Sequence, residues 1–191
     1  MVVDTVGWLL ERTEVARPRL VDLGCGTGSL TVRLARAFPH ADVVGVDADP
    51  RLLGLAEGAV SGTTARLLAR DLTTPGWADE AGPPAPWDAA VSSTALHWLT
   101  PDELAALYCT LAGRLRPGGI LVDADNRAPT ADPAPLGLAR QLRARRADRA
   151  GRHGHEDWAG WWQTILSAQE LAPSPRPAPR SRNAPSPSPT I

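Results

Sequence analysis

The sequence contains no lysine: all 20 of its basic residues are arginine, set against 21 acids for a formal net charge of −1. That near-neutral balance supplies no overall attraction to nucleic acid. Without lysine there is no phosphate-binding loop of the Gly-Lys-Ser/Thr type. Cysteine is scarce as well. Cys25 and Cys109, the only two, are too few and too far apart for a disulfide framework or a metal cluster, so no metal is expected. One Met, one Phe and one Tyr accompany seven Trp, most of which read as packing residues. No apolar run approaches the ~18 residues of a membrane span, and no signal-peptide pattern is present. A soluble cytoplasmic protein with neither membrane nor nucleic-acid partner is the expectation.

At 191 residues the chain is expected to form one domain with a sizeable core. Apolar segments near 19–24, 42–47, 64–69, 87–93 and 119–124 read as strands. Helical patterns separate them at 29–38, 50–59 and 101–114, behind a short amphipathic helix at 2–13, and a Pro/Gly-rich loop runs from Thr73 to Pro86. Asp49 before Pro50 is a helix cap, and Thr100, Pro101 and Glu103 make a capping box with proline at the first helical position. Strands alternating with helices predict an α/β domain: a mostly parallel sheet of about five strands with helices on both faces. In such a sheet the ligand site lies at the carboxyl ends of the strands, where their order reverses.

The richest segment is Val21-Asp22-Leu23-Gly24-Cys25-Gly26-Thr27-Gly28. A strand runs into glycines at alternate positions and a helix opens at Ser29, so backbone can approach a ligand beside free helix N–H groups. The spacing is G-x-G-x-G, not the G-x-G-x-x-G of a dinucleotide site. Asp22 beside the turn would repel a pyrophosphate and suits a ligand carrying an ammonium group. Asp47 closes the second strand about twenty residues on, where an acid takes ribose hydroxyls. An amino-acid–nucleoside ligand is favoured over a dinucleotide.

Val21–Gly28 and Val43–Pro50 resemble the first two motifs of the class I S-adenosylmethionine-dependent methyltransferases. Arg70–Leu72, Trp87–Ser93 and Leu115–Leu121 are similar to their later motifs, in the right order. Ala95–Leu99 resembles the trans-aconitate methyltransferase group of small-molecule enzymes. The resemblance implies a Rossmann-like methyltransferase domain over 1–171, with 125–171 as helical cover. Its cofactor would be S-adenosyl-L-methionine. Asp22, Gly24, Cys25, Gly26, Gly28, Asp47, Asp71, Leu72 and Ser92 would bind it, Asp22 toward the methionine end and Asp47 at the ribose. Asp71 would accept the adenine amino group beside the Leu72 N–H. Ser93, His97 and Trp98 would line the acceptor pocket, the acceptor being a small molecule such as a carboxylate.

Each residue also has a plainer reading. Asp22 can cap neighbouring N–H groups, Asp47 can be a turn residue, Asp71 can cap its own loop, and Asp88 sits at the far end of its strand in a structural place. His97 is a candidate general base, or it packs on Trp98 as a wall; a carboxylate acceptor needs no base. Arg143, Arg146 and Arg149 share one side of a helical segment that would suit a polycarboxylate, though such a face is usually just solvated. His153 and His155 lack partners for a metal. From residue 172 the Pro/Ser/Arg-rich tail is expected to be disordered.

The family sheet has seven strands, and no candidate for the last two follows residue 124. The C-terminal hairpin is therefore expected to be missing. A shifted reading frame would explain the abrupt change after Leu171. A truncated, weakly active or inactive cofactor-binding remnant is the first alternative, with self-association through the uncovered sheet edge. A nicotinamide-dependent oxidoreductase is the second, disfavoured by the glycine spacing and Asp22.

Overall fold

The computed structural model describes residues 2–13, 15–82 and 86–125; the helices expected within 136–171, and the tail, lie outside them. In chain order the elements are α1 (Val2–Leu10), β1 (Arg19–Leu23), α2 (Ser29–Ala37), β2 (Asp42–Asp47), α3 (Pro50–Val60), β3 (Arg66–Ala69), α4 (Trp77–Glu80), β4 (Trp87–Ser93), α5 (Pro101–Arg114) and β5 (Leu115–Ala124). A single 3₁₀ turn, Leu96–Trp98, lies between β4 and α5. The strands form one parallel sheet in the order β3-β2-β1-β4-β5. Among the described residues no helix is long and apolar enough to cross a membrane.

Period-two alternation along the strands divides the core. Val21, Leu23, Val44, Val46 and Ala90 pack with Trp77 of α4 and Leu107 and Leu111 of α5. Leu20, Val43, Ala89 and Val91 pack on the other face with Val6 of α1 and Leu34 of α2. Buried on both faces, the central strands read as nearly continuous apolar runs. Asp22 and Gly45 break those runs, and both belong to the α2 face.

The caps are as the sequence predicts. Asp49 Oδ1 accepts from the Arg51 N–H at 2.9 Å, and Thr100 and Glu103 complete a reciprocal capping box ahead of α5. The third strand starts at Arg66, two residues later than expected, and three larger differences stand out. The Thr73–Pro86 loop contains the short helix α4, because Trp77 stacks on Trp87 with centroids 5.7 Å apart and anchors that segment in the core. The first helix stops at Leu10, with Glu11–Thr13 following as a turn, and the fifth strand starts earlier than 119. There Leu115 pairs with Trp87 and Ile120 with Ala89, so Arg116–Gly119 form an irregular step in the strand. At the amino ends of the strands Asp88 accepts from the Arg19 N–H at 2.7 Å and pairs with Arg116, the structural place expected for it.

Candidate functional site

The strand order reverses between β1 and β4, so the switch point lies at the carboxyl ends of those two strands. The glycine turn leaves β1 there, and its three glycines serve different ends. A Cβ on Gly24 would lie 2.4 Å from that of Ala95, so the chain leaving β4 closes directly on the turn. At Gly28 it would lie 3.0 Å from Ala56 Cβ, where α2 packs on α3. At Gly26, with φ +56°, it would meet nothing within 4 Å. That open space leaves main chain accessible to a ligand.

Asp47 holds this turn. Its Oδ2 accepts from the Gly26 N–H at 2.8 Å and its Oδ1 from the Asp49 N–H at 2.8 Å. Burial raises its pKa, and the backbone N–H groups of Asp49, Gly26 and Ala48 oppose that shift. An ionised carboxylate has about four acceptor positions, so capacity remains for a hydroxyl donor. Cys25 is tied by its main chain, its N–H donating to the Val46 carbonyl at 3.0 Å; burial first, then Asp22 and Asp47, push its thiol pKa up, leaving it inert.

Asp22 is placed differently from the expectation. It is 1% exposed, on the face beneath α2, and its Oδ2 accepts from the Thr31 hydroxyl at 2.6 Å. Desolvation raises its pKa to about 7, with Asp47 adding to the rise and Thr31 opposing it. Its register partner on β2 is Gly45. A Cβ there would lie 2.8 Å from the Thr31 hydroxyl oxygen and 3.0 Å from Cys25 Sγ. Gly45 thus makes the room in which Thr31 reaches Asp22. Neither Thr31 nor the purpose of Gly45 was singled out from sequence, although the buried acid within an apolar strand was itself the signal.

Ser92 is also withdrawn. It is fully buried, and its hydroxyl donates to the Leu23 carbonyl at 2.9 Å, tying β4 to β1 instead of facing the cleft. Asp71 is exposed beyond β3, where its Oδ1 accepts from the Thr73 N–H at 2.8 Å and the Thr73 hydroxyl at 2.7 Å. This is the loop cap of the plainer reading, with Oδ2 outside those bonds. Leu72 packs its side chain against the core.

On the other side of the switch point, Ser93 and Thr94 line a cleft of about 810 Å³ with Ser29, Leu30, Asp123 and Asp125. Arg33 and Arg36 of α2, Val2, Val3 and Asp4 of α1 and Ala124 of β5 complete the described lining. His97 and Trp98 follow, their ring centroids 4.9 Å apart, and Trp98 is 72% exposed. Of the three expected pocket residues, Ser93 lines this cleft, whereas His97 and Trp98 stand beyond its lining in the turn after β4. Asp125, within the lining, reaches His97, its Oδ1 lying 2.9 Å from Nδ1. Sequence reasoning missed it, although an acid just past a strand's carboxyl end is where ligand sites gather. Among the described residues no cluster suits a metal ion.

A parallel sheet with a glycine turn and a strand-end acid at its switch point defines a Rossmann-like domain of the class I methyltransferase type. The chain belongs to the methyltransferase domain family, whose model matches residues 20–119. It is 39% identical over 114 residues to a trans-aconitate 2-methyltransferase of Methylobacterium radiotolerans, a match covering 59% of this chain and 40% of that protein. A namesake in Azoarcus is 38% identical over 122 residues, covering 58% and 44%. The matches thus span less than half of these relatives' own lengths. Among solved structures, a S-adenosylmethionine-bound amino pentose methyltransferase from Micromonospora echinaspora superposes with a TM-score of 0.55 at 30% identity, covering 68% of this chain and 51% of that one. A sugar N-methyltransferase from a Streptoalloteichus species gives 0.52 at 26% identity, covering 68% and 49%.

Proposed function

We propose that this chain binds S-adenosylmethionine across the glycine turn and transfers its methyl group to a small carboxylic acid. The observation that carries the reading is the turn itself: Gly26 opens on empty space while its N–H is fixed by Asp47, within a chain of the methyltransferase family. The residues present fit the group. Gly26 offers main chain, Asp47 retains acceptor capacity for a ribose hydroxyl, and Asp71 would present its second oxygen at the adenine end. Asp22 acts from beneath, as a buried acid near the turn whose ionised form a neighbouring ammonium would favour.

When bound, S-adenosylmethionine supplies an electrophilic methyl group on a sulfonium. The chain's own work is binding and alignment, because an ionised carboxylate is already nucleophilic and has no proton to give. The acceptor would occupy the cleft beside Ser93, Thr94 and His97. The carboxylate choice is supported by the relatives named for trans-aconitate.

Isothermal titration with S-adenosylhomocysteine, followed by a radiolabelled methyl assay on a panel of small acids, tests both parts. Binding together with base-labile label is the expected result. Absence of binding overturns the cofactor assignment, and NADH binding in its place would favour an oxidoreductase. Binding without transfer to any acid overturns the acceptor and favours the remnant.

A further inference from the structure

The sheet has a second concave end. At the amino ends of β1 and β2, opposite the glycine turn, a pocket of about 580 Å³ lies among three connections: the lead into β1, the link from α2 to β2 and the link from α3 to β3. Arg17 and Arg19 line it from the first, His40 from the second and Thr64 from the third. Hydrogen bonds fix these walls. The Asp42 N–H donates to the Pro18 carbonyl, between the two arginines, at 2.8 Å, and the Ala41 N–H to the Phe38 carbonyl at 2.9 Å. The Thr64 hydroxyl reaches the Ala41 carbonyl at 3.4 Å. A cavity so held needs little ordering when a ligand enters.

Its charge is out of balance. Asp42, the one acid of the described lining, stands in register with Arg19 and pairs with Arg66, whose Nε lies 3.5 Å from Oδ1. Counting Arg66 with the lining, three guanidinium groups stand against one carboxylate, a surplus of two positive charges with His40 taken as neutral. Arg19 gives the sharper sign. Its main-chain N–H is taken by Asp88, but its Nη1 is sealed from solvent and has no hydrogen-bond partner among the described residues. A buried charged nitrogen without an acceptor is costly, and an ion or a water held beside it is the usual remedy. The surplus of positive charge favours an anion over water. Arg19 is only part-buried and lines the pocket, so a turn of its side chain brings that nitrogen to a ligand.

We propose that this pocket binds a compact dianion of the phosphate type, free or as the headgroup of a small ester, with the guanidinium groups of Arg17 and Arg19 donating to its oxygens. A planar guanidinium can meet two oxygens of such an ion at once. The cavity is larger than one phosphate ion, which leaves room for the organic part of an ester. The glycine turn is roughly 13 Å away, four residues along β1 at the ordinary rise of a strand. This site is therefore separate from the one that would hold the cofactor, and its assignment does not depend on that reading.

The full chain is titrated with inorganic phosphate, and separately with glycerol 3-phosphate, against chloride at matched ionic strength, by calorimetry and by thermal unfolding. Phosphate should give a heat that saturates at one ion per chain and should raise Tm; chloride should do neither. Arg17→Gln and Arg19→Gln should each weaken binding about ten- to hundred-fold, the loss of charge-assisted hydrogen bonds. Arg70→Gln, which removes an arginine already paired with Glu80 beyond the other end of β3, should bind phosphate as the wild type does. Tm in chloride reports whether each variant folds, and Arg17→Gln, at an exposed position, carries the test should Arg19→Gln not fold. Tighter binding of the ester assigns the remaining volume to an organic group, equal binding assigns the site to the free ion, and both uphold the proposal. Absence of saturable binding by both probes overturns it. So does binding that survives both arginine substitutions, which would put the ion elsewhere.

Discussion

Replacing Asp22 by Asn keeps the shape of the side chain and an oxygen for the Thr31 hydroxyl, but removes an ionisation that the fold resists. Burial raises the native pKa to about 7, against 3.8 as the ordinary value. The folded chain therefore binds this proton more tightly than the unfolded chain. The stabilisation is fully present below the unfolded value and is lost as pH rises through the folded one. Each pKa unit is worth about 1.4 kcal/mol, and integrating from about pH 5 to about pH 8 gives a loss of about 2.5 kcal/mol as an upper bound. Urea unfolding of both proteins, followed by tryptophan fluorescence at four pH values across that range, reads it directly. The stability of Asp22→Asn relative to wild type should climb by up to that amount toward alkaline pH. Two curves that run parallel across the range would refute the reasoning, because Asp22 would then titrate alike folded and unfolded. A bound ammonium would favour the ionised carboxylate, so S-adenosylhomocysteine titrated near pH 7 should release a fraction of a proton, seen as a buffer-dependent heat.

Asp47→Ala should weaken S-adenosylhomocysteine binding by about 1.5–3 kcal/mol, the scale of lost charge-assisted hydrogen bonds; titration calorimetry checks it, and unchanged affinity removes Asp47 from the ribose. Gly45→Ala should destabilise the fold by about 1–3 kcal/mol through overpacking against Thr31 and Cys25, whereas Gly54→Ala, at a helical position with open space, should not destabilise it. Thr94→Gly should raise stability by up to about 1 kcal/mol by relieving left-handed strain, net of the entropy glycine gains on unfolding, while raising KM because the corner carrying His97 loosens.

The parts legible in the sequence are those fixed by neighbours along the chain. The glycine turn, the Asp49 cap and the Thr100–Glu103 box each depend on spacings of a few residues, and each stands where spacing puts it. Strand alternation with helices likewise foretells a parallel sheet. What escaped needs contacts between distant segments. Thr31 meets Asp22 only because β1 and β2 align Asp22 with Gly45. His97 and Asp125 stand 28 residues apart and meet only when β5 lies beside β4. Helix α4 was hidden in a Pro/Gly-rich stretch because one buried tryptophan stack, a tertiary contact, holds it. Ser92 was assigned to the cofactor because its strand end lies near the site, but its buried hydroxyl is spent on the Leu23 carbonyl.

The strand order also bears on how the domain breathes. β1 is flanked on both sides, whereas β3 and β5 are outermost among the described strands. Amide exchange should therefore be slowest at Leu20–Leu23 and faster in both outer strands, whose hydrogen bonds open without disturbing the centre. Asp71 follows one outer strand and Asp125 the other, while the glycine turn hangs from the strand that opens last. A ligand seated across all three could loosen at either extremity while its middle stayed held.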